Sequence, residues 1–267
     1  MISVFLTGAT GGLGKAFAVE CASRGWSLFL TDRQTASLRI LAESLQRQFS
    51  CDVEYYPCDL TDTRSRQELY QYVKGEGLQF NMLINVAGLD YEGPFLERSG
   101  SEVRNLLRLN IESSLETTAQ LFRLREEGRP FRIVTVASLA AFYPMPIKAM
   151  YAASKRFLLN FFVAFREEIR DVGGSVTILC PAGMPTRPDL IDSIESQGIM
   201  GRITTRNVGM VASKTIDSAL RNRLIYIPGR INGVLRSLGL VMPMQVVAAV
   251  IGSRWKNRRA KRTMAFL

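Results

Sequence analysis

The stretch TGATGGLG, residues 7–14, places four glycines in eight positions directly after the mostly apolar run 2–6. Glycine loses more backbone freedom on folding than any other residue, so this cluster needs a physical reason. An apolar run, a glycine cluster and then a helical pattern predict a strand, a tight turn and a helix that begins near Gly12. The N–H groups and positive dipole end of such a helix bind phosphate. The stretch therefore indicates a pyrophosphate site.

Three of these glycines have separate expected roles. Gly8 makes the tight turn, Gly12 lets the backbone approach the phosphates, and Gly14 lets the helix pack closely on the strand. The spacing is G-x-x-x-G-x-G and differs from the usual G-x-G-x-x-G. A glycine motif by itself leaves an ordinary βα loop as the alternative, so other residues must decide between the two.

Seven short apolar or β-branched runs are strand candidates, and stretches of helical period separate them. The runs are residues 3–6, 27–30, 53–56, 82–84, 133–137, 175–179 and 224–227. This alternation predicts an α/β fold, a Rossmann-type doubly wound parallel sheet of about seven strands with helices on both faces. We expect a single domain over residues 1–230 and a hydrophobic, basic C-terminal tail over residues 231–267.

Charge and cysteine content limit the classes of function. The net charge is +10, yet residues 1–217 hold 24 basic and 24 acidic side chains, and the last 50 residues hold ten Lys or Arg and no acid. A neutral body with a basic tail argues against a nucleic-acid-binding face. Four scattered cysteines and no histidine predict reduced thiols and no metal site. Without a leader pattern at the start, we expect a cytoplasmic protein.

Three more stretches accompany TGATGGLG in a fixed order: NVAG at 85–88, SLAAFYPMPIKAMYAASK at 138–155 and CPAGMPT at 180–186. With these four stretches in register, the chain closely resembles the short-chain dehydrogenase/reductase family. The resemblance implies a Rossmann sheet, an NAD or NADP cofactor, and hydride transfer to or from a secondary alcohol or ketone. Val86 and Ala182 depart from the family pattern, so we expect local differences in the backbone beside the cofactor.

The resemblance places the catalytic residues of the family on Asn110, Ser138, Tyr151 and Lys155. It implies that Tyr151 is the acid/base, that Lys155 holds the nicotinamide ribose, that Ser138 binds the substrate oxygen and that Asn110 anchors a water. A tyrosine pKa near 10 must fall to roughly 7, which takes about 4 kcal/mol of phenolate stabilisation. Tyr151 and Lys155 are four residues apart on a predicted helix, so they share a face and the cation can lower that pKa.

Each of these assignments has a structural alternative. Tyr151 and Lys155 could be a packed aromatic and a solvated charge, since the spacing between them is common. Asn110 could satisfy only a nearby backbone group. The four motifs in register favour the catalytic interpretation for all four residues.

The end of the second predicted strand bears on the choice of cofactor. Asp32 follows the glycine loop by about twenty residues, where a carboxylate accepts hydrogen bonds from the adenosine ribose and repels a 2′-phosphate. We therefore expect NAD, while Arg33 leaves NADP open because a guanidinium binds phosphate. Asp59 resembles an adenine contact of the family, although Asp59 or Asp62 could instead cap the next helix. The full expected set of cofactor contacts is Thr7, Gly8, Thr10, Gly12, Leu13, Gly14, Asp32, Arg33, Asp59, Leu60, Asn85, Ala87, Gly88, Tyr151, Lys155, Pro181 and Thr186.

Two further segments bear on partners and substrate. The run 156–169 carries large apolar residues on more than one helical face, which predicts a homodimer through this helix. A broad contact within one chain is the alternative. Residues 187–206 are expected to form a lid, and their apolar side chains favour a hydrophobic, lipid-like or steroid-like substrate. The same side chains could instead seat the lid on the body.

The C-terminal tail predicts contact with an anionic membrane surface. Residues 237–253 form an uncharged run of 17, about 26 Å as a helix and short of the roughly 30 Å hydrocarbon core. The basic stretch RWKNRRAKR, residues 254–262, follows it and suits an anionic leaflet. A helix packed on the body or on a second subunit is the alternative. The competing function is a dinucleotide-sensing binding protein whose basic tail contacts a membrane or nucleic acid.

Overall fold

The computed structural model describes residues 2–184 and 207–253. Three sequence predictions therefore lie outside the described residues: the contact at Thr186, the lid over 187–206 and the basic stretch 254–262. The described chain alternates strands with helices, as the sequence predicts, and each of the seven predicted strands is present at its expected place.

The strands are β1 (Ser3–Thr7), β2 (Ser27–Asp32), β3 (Val53–Pro57), β4 (Met82–Asn85), β5 (Phe131–Val136), β6 (Gly174–Leu179) and β7 (Ile225–Tyr226). The α-helices are α1 (Gly12–Ser23), α2 (Thr35–Phe49), α3 (Thr63–Gly75), α4 (Gly100–Leu107), α5 (Ser113–Arg123), α6 (Ala149–Ile169), α7 (Val208–Leu220) and α8 (Arg230–Val241). A last helical stretch covers residues 244–253. Within the described residues, no helix is both long and apolar enough to span a membrane.

The strands form one parallel sheet, in the order β3-β2-β1-β4-β5-β6-β7 within the described part of the chain. This order confirms the doubly wound α/β prediction. The chain leaves the centre in opposite directions on the two sides of the β1–β4 pair. Ligands of open α/β sheets bind in the crevice at this point, beyond the carboxyl ends of the strands. The topology therefore brings the glycine loop after β1 next to NVAG at the end of β4.

Two apolar cores lie on the two faces of the sheet. Successive strand residues point to opposite faces, so Val4 and Leu6 join the core under α1, α2 and α7, whereas Phe5 joins the core under α3, α5 and α6. Helices cover both faces, which is why the strands read as continuous apolar runs and do not alternate with polar residues.

The aromatic face of α6 packs mainly within its own chain. Leu158 and Phe162 are buried in the core, and Phe161 and Phe165 are partly buried against it. Phe157 remains exposed. The intramolecular alternative thus accounts for four of these five residues, and the homodimer stays a prediction.

The glycine loop is tightly packed where the sequence predicts close approach. Gly8 has φ of +66°, and a Cβ at that position would lie 2.8 Å from the Ala87 backbone. A Cβ at Gly14 would lie 2.0 Å from the Gly8 carbonyl oxygen, so α1 reaches the end of β1 only because residue 14 has no side chain. By contrast, a Cβ at Gly11 would meet the same oxygen at an ordinary 3.5 Å.

Replacement of Gly14 should therefore be costly, and replacement of Gly11 should be tolerated. We expect Gly14→Ala to lower the free energy of unfolding by about 3 kcal/mol, because the added methyl group forces the backbone apart. Gly11→Ala should change it by less than about 1 kcal/mol. Urea unfolding followed by circular dichroism measures both, and equal midpoints for the two variants would contradict the close packing of α1 on β1.

Candidate active site

A cavity of about 1510 Å³ opens at the carboxyl edge of the sheet. Small-molecule pockets usually have volumes of about 300–1,000 Å³, so this one has room for a dinucleotide and a second molecule. Its walls come from the glycine loop, the segments after β2, β3, β4, β5 and β6, the start of α6 and the C-terminal helices.

The glycine loop supplies the phosphate end of the cavity. Helix α1 begins at Gly12, its N-cap residue Gly11 provides no side-chain cap, and its first turn contains no acidic residue. The first N–H groups of a helix have no partner inside the helix. The residues of this helix start line the cavity, and Gly11, Gly12 and Gly14 have no Cβ, which fits a pyrophosphate.

Two acidic side chains, Asp32 and Asp59, line the cavity near the glycine loop. The Asp32 carboxylate accepts the Thr10 N–H at 3.0 Å and so is fixed beside the glycine loop. Asp59 accepts the N–H of Thr61 at 2.9 Å. Asp62, and not Asp59, is the N-cap of α3, with its side chain accepting the Arg64 N–H. This resolves the alternative left open for the two aspartates and leaves Asp59 on the cavity wall.

A buried ionic cluster holds the part of the cavity wall that contains Asp59 and Leu60, and this cluster was not predicted from sequence. Arg66 is fully buried, donates to the Leu60 carbonyl at 2.8 Å, and pairs with Glu112 and with Glu116, the latter at 2.6 Å. It therefore joins the Leu60 segment to α5. Its position on a polar helix, between other charged residues, gives no pattern that distinguishes it from a solvated arginine.

Ser138, Tyr151 and Lys155 meet at the other end of the cavity. Ser138 directly follows β5, and its Oγ accepts the Ala140 N–H at 3.1 Å. The Ser138 hydroxyl is also close enough to the Tyr151 phenol to favour the phenolate and so lower the pKa of the phenol. Lys155 is buried, and its Nζ donates to the Val136 carbonyl at 2.8 Å. The predicted grouping of these three residues is thus present.

Without the cofactor, the protein raises the pKa of the phenol, and the lowering by Lys155 and the oxidised nicotinamide stays a prediction. Burial, reinforced by the Asp90 carboxylate, raises the pKa of Tyr151 to about 12. Burial also lowers the pKa of Lys155 to about 8, with Asp90 opposing the change. The Lys155 ammonium donates to Val136, and its Nζ lies 5.8 Å from the Tyr151 ring centre. A pKa near 7 would thus need more phenolate stabilisation than an unperturbed tyrosine requires.

Asn110 is buried in a π-helical turn, Arg108–Glu112, between α4 and α5. Its Oδ1 accepts the Leu89 N–H at 2.7 Å, and its Nδ2 donates to the Leu89 carbonyl at 2.9 Å and to Ser154 Oγ at 3.0 Å. The side chain therefore satisfies a nearby backbone group, the alternative raised from sequence. It fixes the loop after β4 against α6, beside Lys155. The water-anchoring role stays a prediction.

The structure separates the predicted contacts into wall residues and supports. Thr7 and Asn85 are supports: Thr7 Oγ1 accepts the N–H groups of Val86 and Ala87, and Asn85 Nδ2 donates to Thr118 Oγ1. The predicted residues that line the cavity are Gly8, Thr10, Gly12, Leu13, Gly14, Asp32, Arg33, Asp59, Leu60, Ala87, Gly88, Ser138, Tyr151, Lys155 and Pro181.

An ion pair beside Tyr151 was missed from sequence. Lys148 Nζ lies 2.5 Å from Asp90 Oδ2 and 5.9 Å from the Tyr151 ring centre. Lys148 stands three residues before Tyr151, a spacing that places both on one side of the chain as α6 begins. This three-residue spacing is the sequence pattern that could have indicated Lys148 as a neighbour of Tyr151. The pair closes the cavity between the loop after β4 and α6.

The C-terminal helices pack on the body, as the alternative raised from sequence has it, and they form an apolar wall of the cavity, which was not predicted. The cavity-lining residues of this segment are Leu235, Leu238, Gly239, Met242, Val247, Val250 and Ile251. Gly239 allows close packing, since a Cβ there would lie 2.3 Å from the Tyr143 ring. The start of the predicted tail is thus helical and packs on the body with one side.

Taken together, a glycine-rich helix start at the switch point of a parallel sheet and a Ser-Tyr-Lys group beyond β5 define a dinucleotide-binding dehydrogenase site. Residues 3–191 match the family described as short chain dehydrogenase, and the chain belongs to this family of oxidoreductases.

Individual relatives cover part of the chain. Mouse 17-beta-hydroxysteroid dehydrogenase type 3 (Mus musculus) is 33% identical over 186 residues, 68% of this chain and 59% of the relative. A very-long-chain 3-oxoacyl-CoA reductase of Neurospora crassa is 31% identical over 179 residues, 65% of this chain and 53% of the relative. The chain therefore spans less than two thirds of the length of these curated relatives.

Solved structures share the fold at lower identity. A short-chain dehydrogenase from Sphingobium yanoikuyae, in complex with NADPH, has a TM-score of 0.75 and 24% identity, covering 91% of this chain and 97% of its own. A short chain dehydrogenase/reductase from Burkholderia phymatum, in complex with NAD, has a TM-score of 0.77 and 21% identity, covering 89% and 92%.

Proposed function

We propose that this chain transfers a hydride between a nicotinamide cofactor and a hydrophobic secondary alcohol or ketone. One observation carries the proposal. The Tyr151 phenol and the Ser138 hydroxyl lie together on the wall of the large cavity, with the buried ammonium of Lys155 beside them. Phenol and hydroxyl are two donors that can converge on one substrate oxygen, which is the geometry that proton transfer at a carbonyl requires.

Tyr151, Ser138 and Lys155 have separate roles in this reaction. In reduction, Tyr151 gives its phenolic proton to the carbonyl oxygen while Ser138 Oγ holds that oxygen; in oxidation, the proton returns to Tyr151. When bound, the nicotinamide supplies or accepts the hydride, and its oxidised ring adds positive charge beside the phenol. Lys155 binds the ribose hydroxyls and contributes a second cation that stabilises the phenolate.

Apolar residues at the substrate end support the substrate class. Leu235, Leu238, Met242, Val247 and Val250 line the cavity, and α8 packs on the 3₁₀ turn Leu139–Phe142 that follows Ser138. Two relatives are named for a steroid alcohol and a very-long-chain oxoacyl group, both of them large and hydrophobic. We infer a bulky hydrophobic ketone or alcohol for this chain.

Removal of one phenolic oxygen tests the role of Tyr151. We expect Tyr151→Phe to lower kcat by about a hundredfold to ten-thousandfold, the usual contribution of general acid–base catalysis. Affinity for the reduced cofactor should stay nearly unchanged, because the ring is retained. The measurement is nicotinamide absorbance with a panel of steroid and long-chain ketones, together with cofactor titration by fluorescence.

Tyr143→Phe is the matched control, because Tyr143 lines the same cavity and also loses only a hydroxyl. It should retain kcat within about tenfold, far above the expected loss at Tyr151. If Tyr151→Phe keeps most of its activity, the assignment is wrong. If the wild type binds the cofactor tightly but turns over no member of the panel, the dinucleotide-sensing function becomes the better account.

We further propose NAD as the cofactor. The support is the Asp32 carboxylate, held on the cavity wall by the Thr10 N–H, where its charge would oppose a 2′-phosphate. Arg33 lies on the same wall and is exposed. The preference therefore depends on which of these two opposite charges is closer to the ribose.

Asp32→Ser should shift the preference towards NADP. Loss of the carboxylate removes the repulsion and leaves Arg33, so the NADP-to-NAD affinity ratio should rise by about tenfold or more, or about 1.4 kcal/mol. Arg33→Ala is the matched control and should leave NAD affinity nearly unchanged. Dissociation constants for both cofactors, measured by calorimetry, decide the matter. Tighter binding of NADP than of NAD by the wild type would show that Arg33 dominates.

A further inference from the structure

The outer side of α8 is apolar and exposed. Ile231, Val234, Leu238 and Val241 follow one another at spacings of three or four residues, which places them along one side of the helix. Val234 is 62% exposed and Val241 is 84% exposed. The other side of α8 holds the helix on the body, where Arg236 lies over the Phe142 ring at 5.5 Å. The exposed side is therefore not needed to seat the helix.

The helical stretch 244–253 extends this surface. Met244, Val246 and Val250 are exposed there, while Val247 is buried against the body. We call the seven exposed large hydrophobic residues of both helices the C-terminal apolar face: Ile231, Val234, Leu238, Val241, Met244, Val246 and Val250. Exposed apolar surface on this scale, on two successive helices, is typical of an interaction site.

The charge of the same segment selects the partner. From Arg230 to the C-terminus, the sequence has eight Lys or Arg and no Asp or Glu. A second copy docked on this face would bring two such segments together, and like charges oppose that association. An anionic lipid surface suits both the apolar side chains and the positive charge of this segment. It accepts apolar side chains and attracts Lys and Arg, at about 1 kcal/mol for each cation near the surface.

We propose that the C-terminal apolar face docks this chain on an anionic lipid leaflet, with α8 lying in the plane of the interface. Leu238, Met242 and Val250 are exposed and also line the active-site cavity. The docked face is thus the rim of the cavity. Resting on the proposed function, this arrangement lets a hydrophobic ketone or alcohol enter from the lipid without crossing water.

Vesicle flotation of the full chain tests the docking. Wild type should float with phosphatidylcholine vesicles that contain phosphatidylserine, less with phosphatidylcholine alone, and less at high salt because screening weakens the attraction. The double variant Val234→Glu/Val241→Glu should show at least about a tenfold lower ratio of bound to free protein. Neither residue lines the cavity, so turnover of a short, water-soluble ketone should match the wild type.

Ile40→Glu is the matched control, because Ile40 is 59% exposed on α2, outside the C-terminal apolar face. It should float like the wild type. Absence of wild-type flotation on anionic vesicles, or equal flotation of the double variant and the wild type, overturns the proposal. So does a concentration-dependent dimer in sedimentation that the double variant abolishes, since the face would then bind a second copy.

Flotation requires no turnover, so it separates the two proposals. Wild type that floats as expected but turns over no ketone or alcohol would contradict the proposed function and leave the docking intact. Turnover of a ketone or alcohol without flotation would contradict the docking and leave the proposed function intact.

Discussion

The burial of the Lys155 ammonium at the carboxyl end of β5 is the constraint around which the site is built. A buried cation is costly unless hydrogen-bonded or paired, and the fold meets this with the Val136 carbonyl at 2.8 Å and with Asp90 nearby. The carbonyl is available because β5 ends there, at the edge where the parallel strands all terminate. The position of α6, and hence of Tyr151 one turn earlier, follows from this contact.

The same edge explains why the cofactor-binding elements converge. Gly8 and Gly14 allow β1, α1 and the end of β4 to meet without side chains between them. Arg66 joins the segment after β3 to α5, and Asn110 joins the loop after β4 to α6. The contacts of Arg66 and of Asn110 each link the segment after a strand to a helix. Buried residues that do not line the cavity therefore hold its wall in place.

The fold and the central group of the site were predictable from sequence because they rest on local patterns. Seven apolar runs predicted the strands, and the resemblance of four stretches to the short-chain dehydrogenase/reductase family placed the reactive group on Ser138, Tyr151 and Lys155. The sequence could not show how tertiary structure changes the pKa of Tyr151. Burial and the Asp90 carboxylate raise this pKa, and Asp90 is held by Lys148, which is 58 residues away in the chain. The apolar residues from 231 onward were visible, but only the packing of α8 shows which of them line the cavity, which are exposed, and that Leu238 does both.

The central claim is that the protein keeps the Tyr151 phenol protonated and that a bound oxidised cofactor would ionise it. The direct measurement is the pKa of Tyr151, from the phenolate absorbance of the wild type minus that of Tyr151→Phe, with and without saturating NAD⁺. Without NAD⁺ the pKa should lie near 12, and with NAD⁺ it should fall by at least about 2 units, because the added cation stabilises the phenolate. A pKa that stays near 12 with NAD⁺ bound would contradict the account.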